Sequence, residues 1–519
     1  MCRLGQVVPN DKAPVPATTK TLSNGSKEVE TTGNISADRN VQSSRKIKRI
    51  ITEEELAEKC TTDDCWIAYK GNVYDVTKWL SKHPGGLRSI MSTAGKDATS
   101  VMISLHAPET LEKHMRRIRM VGVLAASAKS DEMEKDFHQL HDWFLRNGWY
   151  EREMFPYVFV FIRVFCLWAC AMYGIYHGAT HNHYGSTIVG AVFWGMFFQN
   201  LAFVGHDAGH GSVTMSIAAD NWLGWIVGNL LSGIDMTWWK STHYVHHSAT
   251  NAVEDDPDIQ HSPLFCFSTE LFESRFSTYH GRFLPSCYAK MIQHQHWYYF
   301  PILGVARFNL YIQSFIHLYH TCPFTATTSV ATPITDPQTN EDRPKYAWPK
   351  AKVHHWIMSV VTLLAFYVGY GTFLLSLPHF HQVVLAVVLS HFVAGILHVQ
   401  ILLSHIAMEY CIHSFSSSQP DESNYYEWQA LSTMDIACSP FMDWFHGGLQ
   451  FQLEHHMFPR LPRWKLRKAI PLIDEVFKKY PNRAQPQRIP FVEANIKVVQ
   501  HMKRIGQQVM DLHLSKKYA

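Results

Sequence analysis

The sequence predicts a mainly α-helical membrane protein with a small soluble domain near its N-terminus, and three observations carry this prediction. Four apolar runs each approach the roughly 20 residues that an α-helix needs to cross the hydrocarbon core of a bilayer. The mean hydropathy of −0.13 is too low for a 519-residue chain that is embedded throughout its length. Histidine, with 32 residues, outnumbers phenylalanine, with 30, and metal binding is a common reason for such an excess.

Composition excludes several classes of function. The net charge of +3 is too small to indicate nucleic-acid binding, and no basic stripe interleaved with aromatic residues is present, so we expect no nucleic-acid partner. The 10 cysteines are scattered and form no C-x-x-C pair. This pattern indicates reduced thiols, and neither a disulfide framework nor a zinc ribbon.

The chain begins with a polar segment and continues into a compact domain. Residues 1–47 are rich in Pro, Thr, Ser, Asn and Lys and contain no aromatic residue, which predicts a disordered tail. The tail also lacks the apolar core of a secretory signal. From residue 48 to residue 124 the composition becomes that of a folded soluble domain. This domain contains two histidines in distinctive surroundings, His83 in H-P-G-G and His106 in L-H-A-P.

Residues 48–124 resemble a cytochrome b5 domain. The resemblance rests on the D-C-W-I run from Asp64, the V-Y-D-V-T-K-W run from Val73 and the H-P-G-G motif from His83. It implies a small α+β fold that binds haem b through two axial ligands, His83 and His106, with His114 as the alternative to His106. Ligation by two histidines leaves no open position on the iron, so such a haem transfers electrons and does not bind oxygen.

The remaining chain is organised by the four apolar runs. Residues 125–154 are charged and helix-prone and are interpreted as a linker, residues 155–480 as a membrane domain, and residues 481–519 as a cytosolic C-terminal tail. The predicted spans lie at about 157–176, 186–204, 356–377 and 382–404. The short connections within each pair contain no Lys or Arg, which places them on the lumenal side and both termini in the cytosol.

Two weaker apolar stretches complicate the number of spans. Residues 222–231 are too short to cross a bilayer. Residues 298–319 contain Arg307, Asn309 and Gln313, so we expect an interfacial or re-entrant helix there. Four spans keep all the histidine motifs in a cytosolic cap on one side of the membrane.

Three histidine motifs carry the functional prediction. His206 and His210 are four residues apart, and His243 is three and four residues from His246 and His247, so each set projects from one face of a helix. The third motif places Gln452 before His455 and His456, and His405 follows the last predicted span. Eight histidines and one glutamine suit two metal ions. Because a haem domain is attached, iron fits better than zinc, which does not change oxidation state.

The order H-x-x-x-H, H-x-x-H-H, Q-x-x-H-H behind a cytochrome b5-like domain is similar to that of membrane-bound front-end desaturases of fatty acids and sphingoid bases. The resemblance covers about residues 48–480. It includes the D-P-D-I-Q-H run from Asp256 and the segment from Asp443 to Gln452. It implies a di-iron centre held by the eight histidines, with Gln452 at or beside it. It also implies that O2 is the oxidant, that a lipid is the substrate, and that electrons come from NADH through cytochrome b5 reductase. The same resemblance implies a multi-pass protein of the endoplasmic reticulum membrane whose haem and catalytic domains face the cytosol.

Other polar residues have simpler interpretations. We expect His391 and His398 to be polar groups inside the helix bundle. We expect packing or lumenal positions for a further set: His177, His181, His183, His261, His294, His296, His379 and His381. The acidic residues Glu254, Asp255, Asp256 and Asp258 are expected to hydrogen-bond to imidazoles and fix their tautomers rather than to bind metal.

The sequence leaves two questions open. A Δ8 double bond in a sphingoid base and a Δ5, Δ6 or Δ8 double bond in a long acyl chain are equally compatible with the motifs. A lipid hydroxylase with the same histidine scaffold is the alternative enzyme, and its product would gain one oxygen instead of losing two hydrogens. A non-enzymatic haem-bearing membrane anchor would contain haem as its only iron.

Overall fold

The computed structural model describes residues 49–125, 131–272, 285–325, 334–335, 342–343, 348, 350–412 and 424–518. The expected N-terminal tail, residues 1–47, lies outside the described residues.

The N-terminal domain is a small sheet covered by short helices. Its strands are β1 Ile50–Ile51, β2 Trp66–Tyr69, β3 Asn72–Asp75 and β4 Arg119–Leu124, and its helices are α1 Glu53–Ala57, α2 Leu87–Met91, α3 Thr99–Leu105 and α4 Pro108–Met115. The strand order is β1-β4-β3-β2. Only β1 and β4 pair in parallel. The β2–β3 connection uses Lys70 and Gly71 with positive φ angles of 49° and 72°, which suits a tight hairpin turn.

The rest of the described chain is mostly helical. Its α-helices in order are α5 Glu132–Arg146, α6 Phe155–His181, α7 Tyr184–His210, α8 Ile217–Gly224, α9 Met236–Ser248, α10 Pro285–Gln293, α11 Gln295–Val305, α12 Arg307–Thr321, α13 Val353–Leu374, α14 Phe380–Ala394, α15 Ile396–Leu403, α16 Tyr425–Ser432, α17 Asp443–His446, α18 Gln452–Met457, α19 Arg463–Lys478 and α20 Phe491–Tyr518. Two-stranded ladders are formed by β5 Ile334–Thr335 with β6 Asp342–Arg343, and by β7 Asp435–Ala437 with β8 Arg488–Pro490.

Among the described residues, four helical segments are long and apolar enough to cross a membrane: α6, α7, α13, and α14 continued by α15. The α6–α7 hairpin is tightly packed, because a Cβ atom on Gly174 would lie 2.6 Å from the Cα atom of Gly190. A short connection also joins α13 to α14. The expected fold class, a mainly helical membrane protein with four spans and a small N-terminal α+β domain, is confirmed.

The two weaker apolar stretches form no helix of spanning length. The stretch at 222–231 contains the end of α8 and then a single π-helical turn, Trp225–Leu230. The stretch at 298–319 is divided between α11 and α12 at Ala306. Arg307 is fully buried at this junction, where it donates hydrogen bonds to Ser232 and Tyr311.

Segments interpreted as a linker and a tail contribute to the core of the membrane domain. Helix α5 buries Phe137 and Phe144 in one cluster with Phe477 of α19. Helix α20 buries Val498 and Met502 at a spacing of four residues. In both helices the charged residues occupy the exposed face, so a high charge content concealed the amphipathic pattern that drives packing.

Candidate functional site

The structure brings all eight predicted histidines together. One ring nitrogen from each member of a first group lies within 4.8 Å of the others, and a second group meets the same condition. The first group is His206, His210, His243 and His455, and the second group is His246, His405 and His456. His247 lies between them, with ring centroids 4.7 Å from that of His210 and 4.3 Å from that of His456.

Helix ends place these side chains on one side of the membrane domain. His206 and His210 occupy the last turn of α7, and His405 follows the end of α15. The short connections before α7 and before α14 lie at the opposite ends of these helices. At 1.5 Å per residue, the 27 residues of α7 separate the cluster from the α6–α7 connection by roughly 40 Å.

Local capping explains why the second histidine motif is helical. The carboxylate of Asp235 accepts hydrogen bonds from the backbone N–H groups of Thr237 and Trp238, which caps the start of α9. The helix then runs through His243 to Ser248, and the Nε2 atoms of His243 and His247 lie 3.1 Å apart. The i and i+4 spacing therefore produces the convergence that the sequence predicts.

Each imidazole of the second group is oriented through its Nδ1 atom. His246 lies 2.9 Å from a carboxylate oxygen of Asp256, His456 lies 3.0 Å from the amide oxygen of Gln429, and His405 lies 3.2 Å from the carbonyl oxygen of Ser432. In each pair the Nδ1–H donates to the oxygen, which leaves Nε2 for a metal. Two of these oxygens belong to α16 and the third to the loop after α9.

The first group is held less firmly. The Nδ1 atom of His206 lies 3.8 Å from Asp207, and that of His243 lies 3.7 Å from Asp258, both beyond ordinary hydrogen-bond length. Asp207 is instead engaged by the guanidinium of Arg463 at 2.5 Å and by the hydroxyl of Tyr157 at 2.7 Å. This carboxylate therefore ties α7 to α6 and α19.

The donor set fits a metal centre. Several buried ring nitrogens have no hydrogen-bond partner among the described residues: both nitrogens of His210, Nδ1 of His247, and Nε2 of His455 and His456. An unpaired buried polar atom costs about 1–3 kcal/mol, a cost that metal ligation removes. Since no carboxylate belongs to either group, the centre is built from imidazoles, which suit iron, copper and zinc.

Protonation states agree with this assignment. Burial and the charges of neighbouring imidazoles lower the pKa values of His247, His455 and His456 well below the usual range. Burial lowers the pKa of His405 to about 3. These rings are therefore neutral, which is the form that binds metals. For His246, burial is outweighed by the carboxylates of Asp256 and Asp258, which raise its pKa to about 9, so a metal ion would displace a proton there.

A small cavity adjoins the first group. His206 and His455 line it together with Asp207, Arg463 and Gly447. Gly447 has a φ angle of 60°, and a Cβ atom there would lie 2.2 Å from the ring of Phe203. Only glycine permits this turn beside the histidines.

The two histidines of the N-terminal domain face each other. The ring centroids of His83 and His106 are 5.9 Å apart. The Nδ1 atom of His83 lies 3.2 Å from the carbonyl oxygen of Gly86, and that of His106 lies 3.1 Å from that of Met102, which leaves both Nε2 atoms for an iron ion between them. Burial, reinforced by the nearby His106, lowers the pKa of His83 to about 4. The alternative, His114, packs instead on Trp79.

Other predicted residues fall into three places. Gln452 is buried at the first position of α18, three and four residues before the histidine pair. His391 lies inside the bundle, stacked on Phe308 with ring centroids 4.4 Å apart, and His398 is also buried there. The candidate lumenal histidines gather at the far ends of the spans, where His381 stacks on Tyr184.

Sequence reasoning missed several positioning residues. Gln429 belongs to no recognisable motif, and its role depends on contact with a residue 27 positions away. Arg488 lies in the segment interpreted as a tail, yet it binds Glu454 at 2.8 Å and Asp435 at 3.1 Å. This ion-pair network, in which both carboxylates are buried and Arg488 is partly exposed, fixes α18, which carries two of the eight histidines.

Comparisons with known proteins agree with this geometry. Residues 185–487 match the fatty acid desaturase family, and residues 52–125 match the cytochrome b5-like haem/steroid binding domain. The chain therefore belongs to the fatty acid desaturase family and carries a fused cytochrome b5 domain. The expected resemblance is confirmed.

Three relatives illustrate the match. Delta(8)-fatty-acid desaturase 2 of Arabidopsis thaliana is 32% identical over 89% of this chain and 95% of its own. An acyl-lipid (9-3)-desaturase of Borago officinalis is 31% identical over 84% of this chain and 89% of its own. A Delta 8-(E)-sphingolipid desaturase of Komagataella phaffii is 27% identical over 89% of this chain and 95% of its own. The protein is thus a membrane oxidoreductase of the front-end desaturase type, for which the b5 domain implies haem and the family implies iron and O2.

Proposed function

We propose that this protein introduces a double bond at position 8 of a long lipid chain, with electrons supplied by its own haem domain. The convergence of seven histidines in two groups, with His247 between them, beside an attached haem domain carries the proposal. The position is supported by similarity to proteins named as Δ8 desaturases of fatty acids and of sphingolipids. The chain that is desaturated is a fatty acyl chain or a sphingoid base.

The site residues have defined roles in this proposal. His83 and His106 would hold the iron of haem b through their Nε2 atoms. The ligands of two iron ions are His206, His210, His243, His246, His247, His405, His455 and His456, with Gln452 beside them. When bound, the iron ions supply the O2-dependent oxidation that an unactivated methylene requires and that side-chain acid–base chemistry cannot provide.

The chain's own residues supply orientation. Asp256, Gln429 and Ser432 hold the second group in one tautomer, which leaves each Nε2 available to a metal ion. Six of the eight imidazoles, all except those of His206 and His243, are buried, and burial disfavours their charged form. Position along the lipid chain is then decided by which carbon is held against the cluster.

Topology and partners complete the proposal. The histidine cluster lies at the ends of α7 and α15 that are remote from the short, Lys- and Arg-free connections, which supports a cytosolic cluster. We therefore place the enzyme in the endoplasmic reticulum membrane with both domains facing the cytosol. NADH and cytochrome b5 reductase are the proposed source of electrons.

Expression in a host that lacks long-chain polyunsaturates and Δ8-unsaturated sphingoid bases tests the reaction. Mass spectrometry of acyl chains and sphingoid bases should detect a product that has lost two hydrogens, with the double bond at carbon 8. A gain of one oxygen would instead establish the hydroxylase. The His246→Ala variant is the matched negative control.

The role of the haem has its own test. His83→Ala should abolish turnover with NADH and added reductase while the non-haem iron content stays unchanged. Full turnover of His83→Ala in a host that lacks free cytochrome b5 would refute the proposed electron source.

A further inference from the structure

The haem domain packs on the segment that follows the third histidine motif. Residues 50–519 form one unit. The hydroxyl of Ser104, in α3, donates to the carbonyl oxygen of Met457 at 2.8 Å. The hydroxyl of Tyr425 donates to the carbonyl oxygen of His456 at 2.9 Å and lies 3.2 Å from the Ser104 hydroxyl. Since His106 comes two residues after Ser104, this contact places one haem-binding histidine near the chain that leaves α18.

The chain after α18 carries a cation that lacks an anionic partner. Arg460, three residues after Met457, is partly buried. Its guanidinium lies over the ring of Tyr150, 5.6 Å from the ring centroid, and has no hydrogen bond or ion pair among the described residues. Burial is the main influence on the pKa of Arg460, which is lowered. Taking a guanidinium out of water is costly unless an anion meets it.

This guanidinium lies beside the haem site. After burial, the positive charge of Arg460 is the largest influence that lowers the pKa of His106, and the same holds for His141 of α5. The carboxylate of Glu109, in α4, favours the charged form of Arg460 but forms no ion pair with it. Arg460 therefore lies where the corner between α3 and α4, which carries His106, meets α5.

A haem would bring the missing anion to this place. Haem b carries two propionate carboxylates on one edge of its ring. The residues that directly follow His106 are Ala107, Pro108 and Glu109, which offer a propionate no cation and one carboxylate. Arginine suits this position, because its planar guanidinium can donate two parallel hydrogen bonds to one carboxylate.

We propose that Arg460 binds a propionate of the haem, so that the membrane domain completes the haem site of the N-terminal domain. The contact is an ion pair, and no electron or proton moves when it forms. Because the haem then touches both domains, its binding also stabilises their docked arrangement. The inference rests on the proposed haem ligands His83 and His106.

Haem release from the full-length protein tests the contact, with two forms of the cofactor. Protein freed of haem is loaded with haem b or with haem dimethyl ester, whose propionates carry no charge. Excess apomyoglobin captures the released haem, and the decay of the bis-histidine absorbance gives the release rate. Arg460→Gln should release haem b about tenfold faster than the unaltered protein, because a hydrogen bond between charged groups is lost. It should release haem dimethyl ester at the same rate as the unaltered protein.

Two further variants separate a propionate contact from domain packing. Arg467→Gln removes the same charge from α19, where the guanidinium pairs with Asp443, and should change the release of neither haem. Arg460→Lys keeps the charge but loses the paired donors, so haem b should leave about threefold faster. This variant serves as the test if Arg460→Gln does not fold.

The outcomes distinguish the inference from the haem ligands on which it rests. Equal acceleration of both haems in Arg460→Gln would mean that Arg460 only packs the domains together, and unchanged release of haem b would mean that it does not touch the propionate. Either result would overturn the proposal. A bis-histidine spectrum that persists in His83→Ala would instead overturn the proposed haem ligands.

Discussion

The two groups of histidines differ in how their rings are held. Every imidazole of the second group has an oxygen within 3.2 Å of its Nδ1 atom. In the first group, the nearest carboxylates of His206 and His243 are 3.8 and 3.7 Å away, and both nitrogens of His210 lack a partner among the described residues. Only the first group borders the cavity.

One half of the centre is therefore preorganised and the other half is adjustable. Oxygens that orient metal-binding imidazoles raise the affinity for the metal. Removal of such an oxygen typically lowers this affinity 10–100-fold. The second group should therefore bind its iron ion more tightly. The first group, next to the cavity, should rearrange more readily when iron or substrate binds.

The largest effects are expected when one histidine is removed from either group, in two separate variants. His456→Ala deletes a ring that lies against His246, His247 and His405. We expect it to lose at least one iron ion and all detectable desaturation, measured by plasma mass spectrometry and by product analysis. His206→Ala should retain more iron than His456→Ala. Equal retention by both variants would abolish the distinction between the groups, and His398→Ala, a buried histidine outside the cluster, controls for cavity formation.

The locally encoded parts of this site were predictable from the sequence. His206 with His210, and His243 with His246 and His247, converge because residues three or four apart share a face of a helix. The four spans were predictable because their length and composition respond directly to the bilayer. The H-P-G-G context indicated His83 in the same way.

The remaining parts depend on long-range packing. Gln429 orients His456, and Arg488 fixes Glu454, only after α16 and β8 have packed against α18. No period or motif marks these residues. The buried faces of α5 and α20 were concealed for a related reason, since charged residues on the opposite face dominate their composition.

Acidification should destabilise the metal-free protein. Burial, which outweighs the nearby Asp258, lowers the pKa of His243 to about 4, against about 6.5 in the unfolded chain. Between these values the unfolded state binds more protons, so the free energy of unfolding falls as the pH falls from 6.5 to 4. At 1.36 kcal/mol per pKa unit, His243 alone contributes about 3 kcal/mol. Thermal unfolding of chelator-treated protein across this range measures the effect.

His246, in the second group, should make the metal-free protein less stable at alkaline pH. Because the pKa of His246 is raised to about 9, its stabilising contribution is complete below pH 6.5 and disappears as the pH rises to 9. Asp256→Asn should reduce this loss of stability at alkaline pH, because only Asp258 would then raise the pKa of His246, and it should leave the loss at acid pH in place. An alkaline loss of stability that is as large in Asp256→Asn as in the unaltered protein would show that Asp256 does not raise the pKa of His246.

A smaller effect is expected from the oriented tautomers themselves. Asp256→Asn removes the carboxylate that lies 2.9 Å from His246, and iron affinity should fall 10–100-fold. Asp258→Asn is the matched control, since its carboxylate lies 3.9 Å from the same ring and should matter less. Competition with a chelator of known affinity measures both. If Asp258→Asn lost as much affinity as Asp256→Asn, long-range charge rather than the hydrogen bond would be responsible.

The smallest effect is expected from a change beside the first group, which tests whether Asp207 orients His206 or only supports the packing of the helices. Tyr157→Phe removes the hydroxyl that donates to Asp207 at 2.7 Å, while Asp207 keeps its ion pair with Arg463. One lost hydrogen bond to a charged acceptor should lower the free energy of unfolding by about 1.5–3 kcal/mol. Iron affinity should not change, because Asp207 does not hold His206 within hydrogen-bond length. Denaturant unfolding and chelator competition measure the two quantities, and a tenfold loss of iron affinity would mean that Asp207 orients His206 after all.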